Sequence, residues 1–185
     1  MRKVIYIFAF LLLVTSNAFG QNIERRYGAN LDFYVGTWKY TNIATNEEFT
    51  IKLRKSIYTG FNISYDCVVG TYTYKKNGSV ILDNMNEFMI DRSVGLPAPI
   101  YASNARETIS EPNPNKLRTF VDDYGILWPN STLPKDGEGT ITIVSTVNPK
   151  KIRWELKDGE GPRIVGHHPP MGFSIPTDII LTKVE

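Results

Sequence analysis

Phe49, Ile51 and Leu53 alternate with Thr50, Lys52 and Arg54, and Ile152, Trp154 and Leu156 alternate with Arg153, Glu155 and Lys157. A period of two puts one set of side chains on a buried face and the other in water, the signature of a half-buried strand. Trp38 and Tyr40 repeat the pattern against Thr37, Lys39 and Thr41. The polar residues 42–47 then turn the chain into the Phe49 strand, which predicts a first antiparallel hairpin. Residues 67–74 are dense in β-branched and aromatic side chains, and Asn77-Gly78 suits the left-handed dihedrals of a tight turn before a returning strand at 79–83. Further strands are predicted at 87–90, 116–121, 139–147 and 178–184, eight or nine in all. No stretch after residue 20 sustains apolar spacing of three and four, so helix is confined to a short turn around 30–34.

This pattern predicts an all-β domain, and the local hairpins favour a small up-and-down antiparallel barrel, with a two-sheet sandwich as the alternative. All 11 prolines fall between Pro97 and Pro176. Proline cannot donate to a strand ladder, so the second half carries the longer loops, placed at 93–115, 128–138 and 158–177. Asp122-Asp123-Tyr124-Gly125 reads as the end of a strand in a turn, because Asp and Gly accept turn dihedrals.

The first twenty residues differ from the rest. Arg2 and Lys3 precede an apolar run at 4–14, and Ala18-Phe19-Gly20 supplies a small-residue exit. The run is shorter than the roughly 20 residues a membrane-spanning helix needs, so it reads as a signal peptide cut between Gly20 and Gln21. Residues 21–185 then form a single domain, exported to the periplasm or the extracellular space, with no transmembrane segment in the mature form. Without Arg2 and Lys3 the chain keeps 19 basic residues against 19 acidic ones, interspersed. A neutral, unpatterned charge excludes the one-sided basic patch that nucleic acid attracts. Cys67 is the only cysteine, so no intrachain disulfide forms. Its apolar setting, Tyr65-Asp66-Cys67-Val68-Val69, predicts a buried, inert thiol.

Phe33-Tyr34-Val35-Gly36-Thr37-Trp38-Lys39-Tyr40-Thr41-Asn42, with Glu47-Glu48-Phe49-Thr50-Ile51 and the later Tyr72-x-Tyr74-Lys75-Lys76-Asn77-Gly78, resembles the opening of an uncharacterised family of small secreted Bacteroidota proteins. More distantly, a short turn followed by Gly36-x-Trp38 on a first strand is similar to the start of lipocalin-like proteins. That resemblance implies an eight-stranded up-and-down barrel that binds small apolar ligands. The chain departs from the lipocalin pattern at its last strand, where Lys183 stands and no Arg is present to pack over the Trp.

Enzyme chemistry lacks its usual parts: there is no Gly-x-Ser-x-Gly, no phosphate-cradling glycine loop opening a helix and no zinc-protease helix. His167 and His168 are the only histidines and the only weak metal candidates. Adjacent residues on an extended backbone point to opposite sides, so the pair does not make a site unaided, and no metal or cofactor is expected. Trp38, Tyr40, Tyr72 and Trp154 all fall on predicted strands, where they are the candidate lining of a pocket for a small apolar or amphipathic ligand. The alternative is a cell-envelope protein partner for the Pro-rich loops around Pro97-Ala98-Pro99-Ile100-Tyr101 and Pro169-Pro170-Met171-Gly172-Phe173.

Overall fold

The computed structural model describes residues 23–60, 62–85, 98–105, 112–129, 131–158 and 170–184. Ten strands and one short helix make up the described chain. They are β1 (Glu24–Arg26), α1 (Leu31–Tyr34), β2 (Gly36–Asn42), β3 (Glu47–Gly60), β4 (Ile63–Lys76), β5 (Ser79–Asp83), β6 (Ile100–Ser103), β7 (Lys116–Leu127), β8 (Pro134–Ser145), β9 (Lys151–Asp158) and β10 (Asp178–Lys183). The predicted strand at 87–90 lies outside the described residues.

Eight strands close on themselves. The ladder runs β4-β3-β2-β10-β9-β8-β7-β6, and a pairing of β6 with β4 completes the ring, every step antiparallel. A closed ring has no sheet edge, so the barrel holds and the sandwich alternative does not. Strand β4 is long enough for its second edge to serve three neighbours in turn. Parallel β1 pairs at 63–65, β6 at 68–70 and β5 at 73–76. The β4–β5 turn is the one Asn77-Gly78 predicted, with φ of 52° and 78°. A Cβ at Gly78 would meet open space, so the dihedral, not crowding, calls for glycine there.

Alternation fills the inside of the ring as read from the sequence: Trp38, Phe49, Ile51, Tyr72, Ile152 and Trp154 are all buried. Phe49 sits at the centre, with ring centroids 5.8 Å from Tyr72 and 5.7 Å from Trp154. Each such buried side chain contributes about 1.5–3 kcal/mol. A second cluster lies on the outer wall. There Tyr58, Tyr65, Tyr101 and Phe120 make a row of rings across β3, β4, β6 and β7, with neighbouring centroids 4.8–6.3 Å apart. Cys67 belongs to this outer cluster and not to the barrel interior; it is buried, and burial pushes its thiol up to about 12.

Three loop predictions are corrected. The segment 93–115 contains β6, and 128–138 contains the start of β8. Asp122 and Asp123 do not end a strand, because β7 continues to Leu127 past a register shift. The turn chemistry is nevertheless present: the Gly125 amide donates to Asp123 Oδ1 at 2.9 Å, a local loop embedded in a strand that then resumes.

Candidate functional site

Trp38, Tyr72 and Trp154 come together in the barrel, fully buried, and Tyr40 packs against the same cluster half-buried. Each of the three has its polar atom engaged by the protein's own backbone. Trp38 Nε1 donates to Tyr34 O at 2.7 Å, Trp154 Nε1 donates to Pro176 O at 2.9 Å, and Tyr72 Oη donates to Asp122 O at 2.8 Å. Burial raises the Tyr72 phenol above its ordinary range. The two indoles therefore tie down the segments that cover the two barrel mouths.

At the mouth where β2 begins, α1 lies across the opening with Leu31 and Tyr34 buried and Phe33 packed on the core. Lys183 Nζ stands 5.4 Å from the Trp38 ring centroid, so a lysine occupies the place over the indole where the lipocalin pattern has an arginine. At the opposite mouth, residues 170–177 fold inward. Ile175 is buried, Phe173 packs on the core, and Ser174 donates from its amide and its hydroxyl to Asp123. Buried Lys135, in register with Asp123, donates to Asp158 and to the carbonyls of Pro170 and Gly172, and lies 4.3 Å over the Phe173 ring. Sequence reasoning missed this polar plug, since its partners lie 23 to 51 residues apart and no local motif joins them.

The Pro-rich segments are thus mostly covered where they are described. Ile100 and Tyr101 are buried, while Met171, 91 % exposed, and Gly172 stand out. Gly20, Gln21, His167 and His168 lie outside the described residues. Among the described residues no group of three or more His, Cys, Asp or Glu side chains could hold a metal ion, and no helix is long and apolar enough to cross a membrane.

A groove of about 480 Å³ opens beside α1, where β3 and β4 run on beyond the barrel wall. Leu31 and Ile57 supply apolar surface, and Ile57 is 61 % exposed. Lys55 Nζ pairs with Asp32 at 2.7 Å across it. Asp66 is held from behind by Arg25 and by the Gly28 amide at 3.2 Å. The strap before α1 is clamped by Asn104, which accepts from the Ala29 amide at 3.1 Å and donates to the Ala29 carbonyl at 2.8 Å. The only signal of this site in the sequence was the predicted turn at 30–34.

Comparison with curated proteins gives no match, and comparison with solved structures gives none. A family model does match, and it spans residues 1–184, nearly the whole chain. The chain belongs to this family of unknown function, DUF6705, whose fold is here an eight-stranded antiparallel barrel closed at one mouth by a helix and at the other by its own polar-stapled segment.

Proposed function

We propose that this chain is an exported, non-catalytic binding module that takes a small amphipathic ligand in the groove beside α1. The observation that carries the reading is the pairing of exposed Ile57 with the Lys55–Asp32 ion pair in one concave site. Apolar surface with a few convergent polar groups is the usual composition of a ligand site. The interior is the weaker candidate, because Trp38, Phe49, Tyr72 and Trp154 fill it with one another and their polar atoms are already bonded. The envelope-partner alternative has less to present, since Ile100 and Phe173 pack on the barrel core and Tyr101 is buried in the outer-wall cluster.

An NMR titration with a panel of fatty acids and lysolipids tests the reading. Shifts confined to Leu31, Lys55 and Ile57, weakened about tenfold by Ile57→Asp, are the expected result. Shifts centred on Tyr72 and Trp154 move the site into the barrel and overturn the groove. Silence at both places overturns ligand binding.

A further inference from the structure

At the mouth that α1 covers, two ammonium groups stand over neighbouring aromatic rings. Lys150 Nζ lies 5.4 Å from the Phe33 ring centroid, Lys183 Nζ lies 5.4 Å from that of Trp38, and the two rings are 5.8 Å apart. The Lys183 amide donates to the Lys150 carbonyl at 2.9 Å, which fixes the backbones that carry them. Both side chains are half-buried, and among the described residues neither makes an ion pair with a carboxylate. By contrast Lys39, Lys55, Lys75, Lys76 and Lys135 each do. Burial first, and the Lys150 charge second, lower the Lys183 ammonium below its ordinary range.

Like charges kept close, with no carboxylate partner among the described residues, repel, and the aromatic faces offset only part of that. A doubly charged oxyanion satisfies both ammoniums at once, with several acceptor oxygens for their remaining N–H groups. A phosphate monoester carries about −1.5 to −2 charge at neutral pH and matches the pair better than a single carboxylate does. We propose that Lys150 and Lys183, standing on Phe33 and Trp38, form a binding site for a phosphate group at the helix-closed mouth. The site goes beyond the groove and does not depend on it, since it shares no side chain with the groove.

Inorganic phosphate is the first probe, read by the Trp38 indole NH and by the lysine side-chain resonances at constant ionic strength. A saturable shift is expected, about tenfold weaker in Lys150→Gln and in Lys183→Gln and retained in Lys150→Arg. Lys150→Gln leaves the Trp38 stack untouched, so the test survives if Lys183→Gln fails to fold. The second probe is flotation with phosphatidylcholine vesicles with and without phosphatidic acid. Free phosphate competing with vesicles assigns the site to the phosphate group itself, and vesicle binding without a response to free phosphate assigns it to a lipid headgroup. A shift reproduced by matched sodium chloride, affinity unchanged in Lys150→Gln, or no response to either probe overturns the proposal.

Discussion

The helix-closed mouth is covered by apolar area: Leu31 and Tyr34 are buried there, and one indole bond from Trp38 fixes the helix end. The plugged mouth is closed by charge: Asp123 accepts three hydrogen bonds and Lys135 donates three, both fully buried. The two solutions fail differently. Apolar closure is graded, because each methylene removed costs its own share of burial and of cavity. Charged closure is steeper, because deleting a buried charge leaves several hydrogen-bonding groups without their partner at once. Glycines seat both closures, Gly28 under Leu31 at one mouth and Gly125 and Gly137 at the other. A Cβ at Gly125 would sit 2.1 Å from Ser174 Oγ, and one at Gly137 would sit 2.6 Å from Phe173, so the plug is seated against bare backbone.

The comparison breaks most visibly at Asp123. Asp123→Ala leaves two amides and the Ser174 hydroxyl without their acceptor and is expected to cost about 3–5 kcal/mol. In a chain of this size that lowers the melting temperature by roughly 10 °C, measured by calorimetry. Leu31→Ala at the other mouth is expected to cost about 2–3 kcal/mol, since a helix of four residues can settle into part of the space left. Hydrogen exchange separates the two. Asp123→Ala should expose the amides of Ser174 and Leu156, the latter bonded to Thr177 O, while Leu31→Ala should leave them protected. Equal losses at both mouths, with the same amides exposed, would erase the distinction.

Local periodicity carried most of the barrel. Phe49, Ile51 and Leu53 face inward, as do Ile152, Trp154 and Leu156, because a period of two is a property of a few neighbouring residues. Asn77-Gly78 was legible for the same reason. Asp123 was not: Asp-Asp-Tyr-Gly carries a turn signal, and the turn is real, but the strand outlasts it because Lys135 pairs in register on β8. Nothing in the neighbourhood of Lys135 distinguishes it from a solvated lysine, since its acceptors at Pro170 and Gly172 arrive only with the closed fold. The groove was hidden likewise, for Gly28, Lys55 and Asp66 meet through the pairing of β1 and β3 with β4.

Asp122 sharpens the comparison with the smallest effect, because it turns outward where Asp123 turns inward. It stands opposite Asp136 in the β7–β8 register, and burial, with the Asp136 charge second, pushes its carboxyl from 3.8 up to about 6. A folded pKa above the unfolded one means the native state holds the proton more tightly. The contribution is therefore complete below about pH 4 and is lost as pH rises through about 6. Glu47, Glu48 and Asp178, lowered by hydrogen bonds to Lys76, Lys39 and Arg153, act in the opposite sense, and their contribution falls as pH drops through the ordinary carboxylate range and below it. Toward the upper end of its window, near pH 6, Asp122 is thus the group that titrates in the sense opposite to these. Asp122→Asn is expected to flatten stability across that window and to raise it at pH 8 by about 1 kcal/mol, a figure discounted for the half-buried carboxyl. Urea unfolding at pH 4.5, 6 and 8 measures it. A variant that keeps the wild-type slope would place the titrating group elsewhere and leave the plugged mouth with no outer-wall carboxyl coupled to its stability.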